Sequence, residues 1–99
     1  MAFEQILAQW ENAGGRTTVS VELLADGSLQ VFYYDIGADA QRIFGDSDYE
    51  AWLTVPPDQL GKLAIALIAA QYTGRPDALS ALRTFCAAEG VAHESGSWT

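Results

Sequence analysis

The chain has 99 residues, 49% of them hydrophobic, and its 13 acidic and 5 basic side chains give a formal net charge of −8. This length suits one hydrophobic core, so we predict a single domain over residues 1–99. The negative charge disfavours binding to nucleic acid or to an anionic membrane surface, and it favours either a basic partner or a role in solubility alone. Cys86 is the only cysteine, and the start lacks the basic segment of a signal peptide, so we expect a soluble cytoplasmic protein.

The first predicted element is an N-terminal amphipathic helix. Its apolar stripe has the i, i+3, i+4, i+7 spacing of one helix face and consists of Phe3, Ile6, Leu7 and Trp10. The segment 12–15 contains two glycines, which close a helix without a Cβ clash.

From Thr17 the pattern changes to the alternation of a half-buried strand, and Asp26-Gly27 turns the chain into a second strand, Leu29–Ile36. Two hairpin registers are open. A three-residue loop with Gly27 in the left-handed conformation places the set Leu29, Val31 and Tyr33 on the face of Val19, Val21 and Leu23, whereas a two-residue turn places Phe32, Tyr34 and Ile36 there. We favour the first register, because it collects six apolar side chains and no polar one.

The strand Leu29–Ile36 carries large apolar groups on both faces, which favours a central position in the sheet or one face reserved for a partner. In the next segment, Asp39 could cap a single helical turn that ends at Gly45. Alternation resumes at Tyr49 and ends at Pro56-Pro57, which cannot continue a strand.

Two helices are predicted next, one from Pro57 to Tyr72 and one from Pro76 to Gly90. A short edge strand near the C terminus is left open, although Gly96 and two serines weaken it. The predicted fold is therefore α+β: an N-terminal helix, a three-stranded antiparallel meander with a short fourth strand left open at the C terminus, and a C-terminal helical hairpin packed on one sheet face.

The alternating carboxylates Asp46, Asp48 and Glu50 raise the question of a cation site, since Ca²⁺ prefers oxygen ligands. The spacing does not fit a calcium loop, because Ala51 replaces the turn glycine and Pro57 replaces the bidentate glutamate. We therefore predict no metal and no cofactor.

Catalysis receives little support from the sequence. His93 is the only histidine and no nucleophile elbow surrounds any serine, while Cys86 fits the apolar stripe of a helix. No glycine-rich phosphate loop is present. The chain is more readily interpreted as a non-enzyme than as an enzyme.

Aromatic and acidic side chains are combined between residues 29 and 55. Such a mixture suits an interface with a basic protein, because Tyr and Trp supply rigid contact area and carboxylates supply charge complementarity. The predicted binding residues are Asp35, Asp39, Asp46, Asp48, Tyr49, Glu50 and Trp52.

In size and charge the chain is similar to the small acidic α+β proteins with which bacteria inhibit toxins or confer immunity to them. The first functional hypothesis is accordingly a non-catalytic binding protein, of inhibitor or immunity type, that docks a basic partner. One alternative is a small hydrolase that uses carboxylates of the same segment with His93, and another is a structural homodimer joined through the free sheet face.

Overall fold

A computed structural model describes residues 3–12, 14–37 and 48–98 of the chain. Strands β1 (Phe3–Asn12), β2 (Gly15–Leu23), β3 (Leu29–Ile36) and β4 (Asp48–Val55) are followed by a 3-10 turn (Pro57–Gln59) and helices α1 (Leu60–Tyr72) and α2 (Ala78–Ala88). The strands form one antiparallel sheet in the order β1-β2-β3-β4. The chain divides into two compact units, Met1–Lys62 with the sheet and Leu63–Thr99 with α2 and most of α1.

The predicted N-terminal helix is wrong, because Phe3–Asn12 forms strand β1 along β2. A β-bulge explains the misleading pattern: Ile6 pairs with Ser20 and Ala8 with Val19, so Leu7 is an extra residue. The extra residue shifts the two-residue alternation by one, and positions seven apart then fall on the same side of the strand. The segment therefore lacks the strict alternation by which a strand is recognised, and Ile6 and Trp10 of the predicted helix stripe lie on opposite faces of the sheet.

The predicted three-stranded meander is also wrong, since the sheet has four strands. The strand that was not predicted is the N-terminal β1. The short C-terminal strand that the sequence left open does not form, because residues 91–98 have no regular secondary structure. The two predicted helices are confirmed as α1 and α2. The helical turn predicted at Asp39 lies outside the described residues.

The favoured hairpin register is confirmed. Leu23 pairs with Leu29 and Val21 with Val31, and Gly27 adopts a positive φ of 90°. The turn is held by Asp26, whose Oδ1 accepts a hydrogen bond from the Ser28 N–H at 2.8 Å and whose Oδ2 accepts one from the Ser28 hydroxyl at 3.0 Å. The backbone hydrogen bond from Ser28 is the main reason that the pKa of Asp26 lies below its usual value.

A second glycine-dependent feature lies at the opposite end of β2. Gly15 has a φ of 144°, and a Cβ at this position would collide with the carbonyl group of Ile36 at the end of β3. The close approach of the two chain segments at this end of the sheet therefore requires glycine at position 15.

Candidate protein-binding face

The cross-strand pairs decide which side chains share a face of the sheet. Directly opposed residues in an antiparallel ladder point to the same side, and successive residues alternate. From the register, one face, called here the apolar face, carries Gln5, Ala8, Trp10, Thr17, Val19, Val21, Leu23, Leu29, Val31, Tyr33, Asp35, Tyr49, Ala51, Leu53 and Val55.

The other side of the sheet, called here the acidic-aromatic face, has a different composition. It carries Glu4, Ile6, Gln9, Glu11, Arg16, Thr18, Ser20, Glu22, Gln30, Phe32, Tyr34, Ile36, Asp48, Glu50, Trp52 and Thr54. Arg16 is the only cation on the described part of this face, against the carboxylates Glu4, Glu11, Glu22, Asp48 and Glu50.

Three aromatic side chains lie together on β3 and the outer strand β4 of the acidic-aromatic face. Phe32 on β3 is directly opposite Trp52 on β4. The Phe32 and Tyr34 rings are stacked, with centroids 6.3 Å apart and planes inclined by 18°. Trp52 is 62% exposed, so a large indole surface is open to solvent on this face. Exposed aromatic side chains with rigid neighbours are typical of interface anchors.

Carboxylates share this face with the aromatic group. Glu50 is the cross-strand partner of Tyr34, and Glu22 is the partner of Glu4. Like charges directly opposite each other destabilise a sheet, so the Glu4–Glu22 pair would gain from a cation placed between the two side chains. Arg16 is instead paired with Glu11, with Nη1 3.9 Å from Oε1.

The seven predicted binding residues fall into three groups. Asp48, Glu50 and Trp52 lie on the acidic-aromatic face, whereas Asp35 and Tyr49 are cross-strand partners on the apolar face. Asp39 and Asp46 lie outside the described residues. The structure thus brings together three of the predicted residues and places two on the other side of the sheet.

The side chain of Asp35 is buried and hydrogen-bonded within the sheet. It is 9% exposed, and its Oδ1 accepts a hydrogen bond of 3.0 Å from the hydroxyl of Thr17, which is 6% exposed. A buried carboxylate with a directed hydrogen bond stabilises the packing of neighbouring strands and is not accessible to a docking protein. Tyr49, beside it, makes an edge-to-face contact with Tyr33, with ring centroids 6.0 Å apart.

The acidic-aromatic face also contains residues that the sequence-based prediction missed. Phe32 and Tyr34 could have been identified from the favoured hairpin register, which sends them to the side opposite Val31 and Tyr33. Glu4 and Glu11 gave no such signal, because the bulge at Leu7 made their segment resemble a helix.

The helical unit contains separate polar groups. Arg75 donates from Nε and Nη2 to Asp77 at 3.1 and 2.7 Å, and its guanidinium lies 5.0 Å from the centroid of the Tyr72 ring. The hydrogen bond with Arg75 lowers the pKa of Asp77 and raises that of Arg75. The Arg75 side chain is therefore held by contacts with residues close to it in the sequence.

His93 and Cys86 both line a small cleft of about 140 Å³ beside α2. The His93 Nδ1 lies 2.8 Å from the carbonyl oxygen of Val91. Within residues 3–12, 14–37 and 48–98, no group of three or more histidine, cysteine or carboxylate side chains could hold a metal ion. None of the described helices has the length and apolar character needed to cross a membrane.

Comparisons of the chain with protein families, with curated proteins and with solved structures found no match. Any functional inference therefore depends on the chemistry of the two sheet faces.

Proposed function

We propose that this chain is a small, non-catalytic cytoplasmic protein-binding module that docks a basic protein partner, as an inhibitor or immunity-type protein does. The docking surface is the acidic-aromatic face. The observation that carries the proposal is the group formed by Trp52, which is 62% exposed, with Phe32 and Tyr34, on the same face as the carboxylates Glu22, Asp48 and Glu50.

The distribution of charge supports a basic partner. Of the 13 carboxylates in the chain, 10 belong to Met1–Lys62, together with 3 of the 5 cations, so this unit carries a formal charge of −7. On the acidic-aromatic face, five carboxylates accompany one arginine among the described side chains. Such a surface attracts Lys and Arg side chains, speeds association and repels acidic proteins.

The aromatic group supplies the contact that charge alone does not. An exposed carboxylate paired with a partner's lysine contributes little in water. A tryptophan that is buried on docking removes a large apolar area from solvent, and Arg or Lys can also stack on its ring. We therefore expect Trp52 to contribute most of the affinity, and the carboxylates to set orientation and partner choice.

The proposal is tested by affinity capture from a native lysate, followed by identification of the recovered proteins. The bait variant is Glu22→Lys/Glu50→Lys, in which both substitutions lie on the acidic-aromatic face. Its matched control is Glu89→Lys/Glu94→Lys, which changes the net charge equally through two exposed residues of the helical unit.

The expected result is a partner with a basic surface that the wild type and the control retain and the Glu22→Lys/Glu50→Lys bait loses. Binding should also weaken with added salt, because exposed charges are screened. Recovery of the same proteins by all three baits, or loss of binding by the control to the same extent, would contradict the proposal.

A further inference from the structure

We infer that the basic partner adds an extended segment to the outer edge of β4, as a further strand of the sheet. In this segment lysine or arginine alternates with apolar residues. This mode of binding rests on the proposed function, since it describes how the same partner is held, and it involves the unit Met1–Lys62 alone.

Strand β4 lies at the edge of the described sheet. Its backbone pairs with β3 in a continuous register from Asp48 to Val55, and no described strand lies on its other side. The outer backbone groups of an edge strand are a template for pairing with another chain. Strand addition at such an edge is one of the ways in which domains bind extended peptides.

The turn between β2 and β3 shows which backbone groups of β4 point away from the sheet. The Leu24 N–H donates to the Ser28 carbonyl oxygen at 2.8 Å, so these two residues form a hydrogen-bonded pair. Such pairs alternate with non-hydrogen-bonded pairs along an antiparallel ladder. The even-numbered residues of β3 therefore bond to β2, and its odd-numbered residues bond to the odd-numbered residues of β4. The N–H and C=O groups of Glu50, Trp52 and Thr54 consequently point away from β3.

These outward groups have no backbone partner within the described residues. No turn, cap or loop hydrogen bond between described residues involves the backbone of Glu50, Trp52 or Thr54. The side chains of the same three residues are exposed. A strand laid along this edge would satisfy one donor and one acceptor on each of them.

The opposite edge of the sheet is less suited to strand addition. Strand β1 contains the bulge at Leu7, where the pairing with β2 shifts between Ile6 and Ala8. Bulges protect sheet edges from further pairing, as do proline, lysine and short strand length. Strand β4 is eight residues long and contains no bulge, proline or lysine.

The side chains of β4 define the chemistry of the added strand. Directly opposed residues of paired strands point to the same side of the sheet. Lysine or arginine opposite Asp48 and Glu50 therefore forms cross-strand pairs of opposite charge, and arginine opposite Trp52 can stack on the indole ring. The intervening residues of the segment lie on the side of Ala51 and Leu53, which favours apolar side chains there. An acidic segment would be repelled.

Amide hydrogen exchange of the full chain, followed residue by residue by NMR, tests the edge itself. In the free chain the amides of Glu50, Trp52 and Thr54 should exchange at least about 10-fold faster than those of Ala51 and Leu53, which bond to β3. Slow exchange of the outward amides in the free chain would overturn the inference. The edge would then already be occupied, by another part of the chain or by a second copy.

The probe for strand addition is an eight-residue peptide in which lysine alternates with valine. Its control has the same composition, with four lysines followed by four valines. At a concentration of the alternating peptide about ten times its Kd, exchange of the outward amides should slow about 10-fold. The control should bind at least about 10-fold more weakly, because it cannot place lysine on one side and valine on the other.

Equal affinity of the two peptides, or no binding by either, would overturn the inference. Equal affinity would show that charge alone attracts the peptide, a result with which the proposed function remains compatible. The proposed function is decided separately by the capture from lysate, which does not require the partner to add a strand.

Two substitutions at Thr54 separate the backbone contribution from that of the side chain. Both Thr54→Pro and Thr54→Val remove the hydroxyl that accepts a 3.3 Å hydrogen bond from Gln30. Only Thr54→Pro also removes the outward N–H, at an edge position that tolerates proline. Thr54→Pro should weaken binding of the alternating peptide about 5-fold, and Thr54→Val less than about 2-fold. Equal effects of the two variants would overturn the inference.

Far-UV circular dichroism verifies that both variants fold. If Thr54→Pro does not fold, two N-methylated forms of the alternating peptide test the same hydrogen bonds on the wild type. One form is methylated at its lysine amides and the other at its valine amides, and only one of these sets can face β4. One form should bind at least about 10-fold more weakly than the other. Equal affinities of the two forms would overturn the inference.

Discussion

Removal of the Thr17 hydroxyl tests whether Asp35 is a structural residue or a contact residue. Thr17→Val removes the donor of the 3.0 Å hydrogen bond to Asp35 while the carboxylate remains in its buried position. A hydrogen bond to a charged group contributes about 1.5–3 kcal/mol, and a buried acceptor that loses its donor retains its desolvation cost. The free energy of unfolding should therefore fall by about 1.5–3 kcal/mol, which corresponds to a decrease of about 6 °C or more in Tm.

The assay is equilibrium unfolding in urea, monitored by circular dichroism and tryptophan fluorescence. Thr18→Val is the control, since Thr18 is the next residue of β2 and lies on the other face; its effect should stay within about 0.5 kcal/mol. The double variant Thr17→Val/Asp35→Leu replaces both polar groups with apolar ones and should recover most of the loss. If Thr17→Val is no more destabilising than Thr18→Val, or if the double variant is less stable than Thr17→Val, the structural role assigned to Asp35 is refuted.

Three further predictions concern stability. Glu22→Lys turns the like-charged cross-strand pair with Glu4 into an opposite-charged one and should raise the free energy of unfolding by about 0.2–1 kcal/mol, measured in urea; a decrease would contradict this. Gly15→Ala should lower the free energy of unfolding by about 1–3 kcal/mol, because the alanine would have to adopt a positive φ and its Cβ would collide with Ile36. The control is Gly61→Ala, whose added Cβ meets no atom within 4 Å. The lowered pKa of Asp26 stabilises the fold above the unfolded value near pH 4 and loses that effect as the pH falls through the folded value. The stability difference between wild type and Asp26→Asn, followed by acid titration, should therefore shrink below about pH 4, and a difference that is constant with pH would contradict this.

The elements best predicted from the sequence are those whose apolar residues recur with a single period and whose first and last residues are marked by proline or glycine. Helix α1 follows Pro56-Pro57 and ends before Gly74. The turn at Asp26-Gly27 sets the register that was favoured because it collects six apolar side chains on one face and leaves Gln30 on the other. Local chemistry decides both features.

Strand β1 could not be identified from local pattern alone. One extra residue at Leu7 shifts the alternation, and the pairing with β2 that reveals the strand is a contact between different parts of the chain. The same limit applies to the binding residues. Glu50 and Trp52 alternate on an exposed strand, so the sequence is enough to place them on one side of it. The burial of Asp35 could not be predicted, because it involves Thr17, which is 18 residues away in sequence.

The two sheet faces separate the apolar side chains of the strands from most of their charge. Among the described residues, the apolar face carries Asp35 as its one charged side chain, whereas the acidic-aromatic face carries five carboxylates and Arg16. Trp52 and Leu53 are neighbours in β4 that lie on opposite faces, so substitutions at these two positions alter the faces separately.

The most direct test of the central claim is the affinity of the captured basic partner for Trp52→Ala and Leu53→Ala, measured by isothermal titration calorimetry. The two side chains are equally exposed and adjacent in β4. Loss of an interface tryptophan that anchors binding costs about 2 kcal/mol or more, so Trp52→Ala should raise Kd by about 30-fold while Leu53→Ala changes it less than about 3-fold. Equal losses, or a loss confined to Leu53→Ala, would contradict the assignment of the acidic-aromatic face as the binding surface.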